Sequence, residues 1–285
     1  MPQFKIGVIT DSFRLPLRDA IAKAADVGAE GIQMYAVKGE MAPENLSAAD
    51  RADLKKYIAD QGLEIGALCG DLGGHGFAKA DENPSKVERS KKIMDLAVEM
   101  GTSVVTTHIG VVPEDTASDT YKTMQDACRE LATYGDSVGA RFAIETGPEP
   151  CDRLKTFLES LGAGGVAVNF DPANLVMVTR DDPVAGAHTV GPWIVHTHAK
   201  DGVCKQATDP ARIYGYFADG GIGDLRLSDY FGEVPLGEGQ VDFPGWIAAL
   251  NEEGFTGYLT IEREVGDNPE ADIRRAVEFL RELRG

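Results

Sequence analysis

Two kinds of segment alternate along this chain. Amphipathic stretches with a period of about 3.6 residues give way to short apolar runs rich in β-branched residues, and a glycine usually marks the change. Val27-Gly28 precedes Gly31–Ala36, Gly62-Leu63 precedes Ile65–Cys69, and Met100-Gly101 precedes Ser103–Ile109. Val138-Gly139 precedes Arg141–Glu145, and Glu253-Gly254 precedes Gly257–Glu262. Glycine just past a helix supplies the left-handed residue that ends it, so these junctions predict helix stops followed by strand starts. The periodic stretches support this. Leu17, Ile21, Ala24 and Gly28 fall on one helical stripe, as do Ile93, Leu96, Ala97 and Met100, and again Ile273, Val277 and Leu280. Ser47 followed by Asp50 has the spacing of a capping box opening another helix.

Lys5–Thr10, Val166–Asp171 and Ile194–Asp201 complete the set, giving eight strands that start near residues 5, 31, 65, 103, 141, 166, 194 and 257. Eight βα units in series form either an open doubly wound sheet or a closed barrel. The first βα turn, Thr10-Asp-Ser-Phe-Arg-Leu-Pro16, lacks the GxGxxG of a dinucleotide-binding sheet. The even count favours closure, and the expectation is a single (β/α)8 TIM barrel over residues 1–285, an ordinary length for that fold. The crossover after the seventh strand, about 202–240, is longer than the others and carries Tyr214, Tyr216, Phe217, Tyr230 and Phe231. With Gly220, Gly221 and Gly223 nearby it reads as a mobile lid or a subunit contact, its aromatics packing on a substrate face or a neighbouring copy.

Catalytic groups in such barrels sit at the C-terminal strand ends. Those ends read Asp11, then Gln33 and Tyr35, Cys69 with Asp71, His108, Glu145, Asp171, His198 and Glu262. Four consecutive strands therefore bring Glu145, Asp171, His198 and Glu262 to one half of the mouth. Three converging carboxylates repel one another unless a cation joins them, which predicts a divalent metal. Oxygen donors with one imidazole suit Mn²⁺ first, with Mg²⁺ and Co²⁺ close behind and Zn²⁺ compatible. His196, two residues from His198 on the same strand face, reads as a core or supporting residue. Asp171 could equally cap the turn at Pro172, Glu262 could pair with Arg263 or Lys200, and Glu149 and Glu264 read as caps or ion-pair partners.

Composition narrows the field. At 43% apolar and 26% charged residues the chain is globular, and its net charge of −18 excludes nucleic-acid backbones and anionic membranes as partners. The four cysteines, Cys69, Cys128, Cys151 and Cys204, form no CxxC pair and read as reduced thiols of a cytoplasmic protein. Met1-Pro-Gln-Phe-Lys leads directly into a strand, without the features of a signal peptide. No apolar run reaches the ~18 residues of a membrane helix.

The motifs Ile-Glu-Thr-Gly147, Asn-Phe-Asp-Pro-Ala-Asn-Leu175, His-Thr-His-Ala-Lys-Asp201, Pro-Leu-Gly-Glu-Gly-Gln-Val-Asp-Phe-Pro244 and Leu-Thr-Ile-Glu262 resemble those of the xylose isomerase-like TIM barrels. More narrowly they resemble the sugar phosphate isomerase/epimerase group, with its tagatose/psicose 3-epimerases and inosose dehydratase. The resemblance implies Glu145, Asp171, His198 and Glu262 as metal ligands. Two departures separate this chain from the ketose 3-epimerases: Asn174 stands where they have a histidine, and Cys204 where they have an arginine. The related endonuclease IV needs further histidines that the second and third strands here do not supply.

A metal chelating a carbonyl and its neighbouring hydroxyl stabilises an enediolate. The expected activity is thus a sugar or keto-sugar isomerase or epimerase in which Glu145 and Glu262 move the proton. His108, Lys200, Asn174, Cys69 and His75 are the expected substrate-binding residues, and His188 a surface residue. Expulsion of a β-substituent from the same enolate would make the enzyme a lyase or dehydratase on a keto-sugar, keto-inositol or 3-keto-glycoside. A non-catalytic sugar-binding or partner subunit would be expected to lack a ligand, and none is missing. The expected partners are a small carbohydrate and further copies of the chain, as a dimer or tetramer.

Overall fold

A computed structural model describes residues 4–285; the leader reading at Met1–Gln3 lies outside the described residues. Eight parallel strands close into a barrel: β1 (Lys5–Ile9), β2 (Gly31–Tyr35), β3 (Glu64–Cys69), β4 (Val104–Thr107), β5 (Arg141–Glu145), β6 (Val166–Phe170), β7 (Ile194–Ala199) and β10 (Tyr258–Ile261). β10 pairs with both β1 and β7, and that closes the ring. All eight predicted strands are present. The helical stripes are too: Ile21 and Ala24 are buried in the helix Leu17–Val27, Ile93 to Met100 in Asn83–Met100, and Ile273 to Leu280 in Pro269–Arg284. Gly28 ends the first of these helices at a φ of 87°, a left-handed conformation that a β-carbon would strain. Ser47 and Asp50 form the reciprocal capping box at the helix Ala48–Asp60.

One predicted boundary needs correction. The run Ile194–Asp201 is not a single strand, because the chain leaves the barrel at Lys200. Asp201 opens β8 (Asp201–Cys204), which pairs antiparallel with β9 (Phe231–Val234). The long crossover is therefore a hairpin with a helix, Pro210–Asp219, between its strands, rather than an irregular loop. The Asp201 carboxylate holds this unit by accepting the backbone N–H groups of Gly202 (2.8 Å), Gly237 (3.0 Å), Gly239 (2.9 Å) and Val241 (3.2 Å). Gly239 has no room for a β-carbon beside that carboxylate. This explains the Gly-Glu-Gly-Gln240 motif as a backbone cradle for one side chain. Arg263, buried at the end of β10, ties the hairpin down through Glu233 (2.5 Å) and Asp272 (2.9 Å).

Alternation along the strands divides the barrel interior into layers. The lowest is made of small residues, Ala67, Val104, Ala143 and Ala167, beside the Tyr258 ring. That ring occupies the space where β-carbons on Gly31 and Gly66 would lie. Above it is a polar layer: Gln33, Thr106, Asn169, His196 and Thr260, all buried. TIM barrels are more often filled here with branched aliphatic side chains. The register of β6 on β7 shifts by one residue between Val168 and Asn169, which sets Asn169 opposite His196. The principal apolar core lies outside the strands, between sheet and helices, where Trp246 stacks on Phe170 with centroids 6.0 Å apart.

Replacing Asp201 with alanine leaves four backbone donors without their acceptor, at a cost of about 2–3 kcal/mol. The expected result is a thermal midpoint lower by roughly 5–10 °C in a calorimetric melt.

Candidate metal centre

Glu145 is the last residue of β5, Asp171 and Glu262 follow directly on β6 and β10, and His198 is the fifth residue of β7. Each offers one ligand atom, and the four atoms lie within 4.8 Å of one another, all on buried residues. His198 Nδ1 is the hub: it stands 3.3 Å from Glu262 Oε2, 3.5 Å from Glu145 Oε1 and 3.8 Å from Asp171 Oδ2. Two of these atoms, Asp171 Oδ2 and His198 Nδ1, are buried without any hydrogen-bond partner. Buried orphans are costly, and two of them facing a common point among carboxylates have the donor chemistry of a hard divalent cation site. The residues present fit such an ion.

The remaining atoms of the four are held in place. Asp171 Oδ1 accepts the backbone N–H groups of Ala173 (2.8 Å) and Asn174 (3.0 Å), which meets the capping reading and leaves Oδ2 as the candidate ligand atom. Glu145 Oε1 accepts from Asn174 Nδ2 and Oε2 from Asn169 Nδ2, each at 3.1 Å. Lys200 Nζ donates to Glu262 Oε2 (3.0 Å) and also to Glu264.

Electrostatics follow from this crowding. Burial pushes the Glu145 carboxyl up, but His108 and His198 outweigh it and hold it below the ordinary range. Burial likewise opposes ionisation of Glu262, and Lys200 with His198 reverse the balance. Asp171, wholly enclosed, has its carboxyl raised by burial despite His198 and Lys200. Burial disfavours the His198 imidazolium, yet Glu262 and Glu145 raise its affinity for a proton well above the ordinary value. In the protein without an ion, that proton does the work a cation would do. His196 behaves oppositely, held neutral by burial and by His198.

The other predicted residues take definite places. His108 Nδ1 meets Asp71 Oδ2 at 3.1 Å and its Nε2 lies 3.5 Å from Glu145 Oε1. Burial lowers its proton affinity, but Glu145 and Asp71 carry it up to about 10. Asn174 binds Glu145 directly, and Cys69 is buried at the end of β3. His75 pairs with Asp219 at 2.9 Å, joining the loop after β3 to the crossover helix. His188 is a partly exposed residue bonded to Glu253. Glu264 forms the expected ion pair with Lys200. Glu149 does not behave as expected. It makes no ion pair among the described residues; Oε2 accepts from Val112 N (2.9 Å) and Oε1 is a buried orphan. Burial pushes its carboxyl up to about 8.

Two contributors were not legible as site residues. Asn169 lies in an apolar strand run, and only its position two residues before Asp171 signals that it shares the inward face. Tyr214 reads with the other crossover aromatics, but its half-buried ring sits against His108, centroids 5.9 Å apart, whereas Phe217 is 60% exposed.

The chain matches the xylose isomerase-like TIM barrel family model over residues 21–283, and it belongs to that family. No match is found among curated protein sequences. Among solved structures, a xylose isomerase domain protein from Planctomyces limnophilus is 25% identical, with TM-score 0.79, covering 99% of this chain and 97% of that one. A D-psicose 3-epimerase crystallised in the presence of D-fructose is 15% identical, with TM-score 0.73 and 98% and 99% coverage. The probable 3-DHS dehydratase of petrobactin synthesis from Bacillus anthracis is 19% identical, with TM-score 0.72 and the same coverage. At such identities the last two share the fold with this chain.

A divalent ion such as Mn²⁺, at about 100 times its dissociation constant, should stabilise the protein by about 2.7 kcal/mol. A melt should shift upward by roughly 5–10 °C, and Asp171→Asn should abolish most of that shift. Glu149 gives a separate pH signature. Its folded pKa is raised above the unfolded value, so its contribution is complete below about 4.5 and is lost as pH rises through about 8. Wild-type stability should decline over that window, and Glu149→Gln, which does not ionise, should flatten the decline in denaturant titrations at pH 5 and 9.

Proposed function

We propose that the protein is a divalent-metal-dependent isomerase or epimerase of a sugar or keto-sugar. The observation that supports this most is the convergence of Glu145, Asp171, His198 and Glu262 with two unpartnered atoms facing one point. A divalent ion held there would polarise a substrate carbonyl and its neighbouring hydroxyl, making the adjacent C–H acidic. The chain's own residues then manage the proton. Glu145 and Glu262 approach from β5 and β10, with β6 and β7 between them. Both are kept ionised by fixed partners, so Glu145 can take the proton from carbon. The proton returned to the opposite face comes through Glu262 from the Lys200 ammonium hydrogen-bonded to it, and solvent carries the abstracted proton from Glu145 back to Lys200. Proton return at the same carbon gives epimerisation, and return at the neighbouring carbon gives 1,2-isomerisation.

Around them, His108 is a cation and Lys200 an ammonium. Both are held by carboxylates, and both can hydrogen-bond to substrate oxygens while keeping the Glu145 and Glu262 charges in balance. Asn174 and Cys69 line the same end of the barrel, and His75 holds the crossover helix across it. Tyr214 brings an aromatic face from that helix. The D-psicose and L-ribulose 3-epimerases among the structural neighbours act on small sugars, in keeping with this reading.

One observation favours a second reading, a dehydratase. Burial pushes the Glu149 carboxyl up to about 8, so the loop that follows Glu145 carries a protonated carboxylic acid of the kind a departing hydroxyl needs. A structural neighbour is named as a probable 3-DHS dehydratase, in keeping with this reading.

A panel of keto-sugars incubated with protein and Mn²⁺ in D₂O separates the outcomes. Isomerase or epimerase activity places deuterium at the reacting carbon with no loss of water, whereas a lyase yields an unsaturated product. Glu145→Gln and Glu262→Gln should each lower turnover by about 10²–10⁴-fold. No deuterium and no elimination on any panel member, from protein that binds Mn²⁺, would sink the catalytic reading.

A further inference from the structure

The paired histidines of β7 share a single acceptor. Gln33, on β2, places Oε1 2.8 Å from His196 Nε2 and 3.2 Å from His198 Nε2, and its own Nε2 donates to Thr106 Oγ1 at 3.2 Å. Thr260 Oγ1 is 3.0 Å from the same His196 nitrogen. All of these residues are buried, Gln33 at 1% exposure. We infer that Gln33 is a positioning residue: its carbonyl oxygen takes the Nε2 protons of both imidazoles, so His198 presents a bare Nδ1 to the metal. This rests on the metal reading above.

The orientation of each group supports the assignment. An amide oxygen only accepts, so each ring nitrogen that meets it at hydrogen-bond distance has to carry the proton. Asn169 Nδ2 also lies 3.2 Å from His198 Nε2, but it donates to Glu145 Oε2 and offers no oxygen on that side. Asn169 Oδ1 is itself a buried orphan. Gln33 is then the acceptor available to His198 Nε2–H. A metal-bound imidazole commonly donates its other N–H to such a partner, which fixes the ring's tautomer and its aim. His196 has its own role in this scheme. Standing edge-on to His198, with centroids 6.1 Å apart, it gives the Gln33 oxygen a second donor and fills the space into which the amide could swing. A buried histidine that ligates nothing thereby braces the group that orients the one that does.

The test uses the full chain with Mn²⁺, and with Zn²⁺ as a diamagnetic probe. Gln33→Leu removes the acceptor at similar volume, and should lower Mn²⁺ affinity about 10–100-fold in calorimetric titration. Gln33→Glu keeps an acceptor and should recover most of that loss, which a merely structural role would not. In ¹⁵N-histidine NMR of wild type, the Zn²⁺-loaded protein should show His198 protonated at Nε2. The metal-free protein should show His196 neutral and protonated at Nε2. Gln33→Leu that binds Mn²⁺ as tightly as wild type overturns the inference and leaves the metal site standing. Wild type that binds neither ion removes the metal reading instead. The His196 tautomer then still decides on Gln33, because a proton on Nδ1 there would mean that the amide faces the rings with its NH₂. Should Gln33→Leu fail to fold, Gln33→Glu and the two tautomers carry the test.

Discussion

Three carboxylates and an imidazole enclosed within 4.8 Å of one another are the constraint on which the rest of this barrel depends. Like charges so close in a dry site cannot all persist without a compensating positive charge. In the protein itself the compensation comes from the His198 proton, from Lys200 and from His108, each driven to its charged form by the carboxylates beside it. Asp171 is the exception among the three, a carboxyl whose burial outweighs its partners. A divalent ion would replace the His198 proton and relieve Asp171 together, so the geometry that concentrates these charges also suits a cation.

That constraint reaches down into the barrel. A site so charged needs its ligands held by hydrogen bonds, and the layer beneath supplies them: Asn169 to Glu145, Gln33 to His198, Thr106 to Gln33 and Thr260 to His196. Aliphatic side chains in this layer would pack as well but would leave the His198 ring free to rotate. The small lower layer, closed by Tyr258, makes room for this polar tier. The barrel thereby exchanges some interior hydrophobic burial for orientation, and the main apolar core, outside the strands, bears the stability.

The crossover between β7 and β10 is organised by the same region. Lys200 leaves β7 to bridge Glu262 and Glu264, and Asp201, the next residue, gathers three backbone N–H groups of the returning chain, Gly237, Gly239 and Val241, besides that of Gly202. Arg263 and Glu233 fasten the hairpin to the barrel from the other side. The helix between the hairpin strands is thus delivered over the mouth, with Tyr214 directed inward against His108 and Asp219 tied to His75. Phe217 on the same helix faces outward, so one short helix divides the crossover aromatics between site and surface.

The eight-strand alternation, the helix stops at glycine and the four residues at consecutive strand ends were all readable along the chain, because each rests on local periodicity or on a fixed strand-end position. Ser47 and Asp50 were readable for the same reason. The hairpin in the crossover was not, since Asp201–Cys204 has no partner until the chain returns some thirty residues later. Nor was the function of Gln33 or Asn169. A polar residue inside an apolar run carries no sign of what it will meet, and Gln33 meets histidines 163 and 165 residues away. Glu149 reads along the chain as a cap or an ion-pair partner and is instead a buried acid, because packing encloses the loop after β5. Periodicity and strand ends, being local, were set by the sequence itself; the pairing of distant polar groups, the enclosure that shifts their protonation and the shape of the crossover existed only once the barrel had closed.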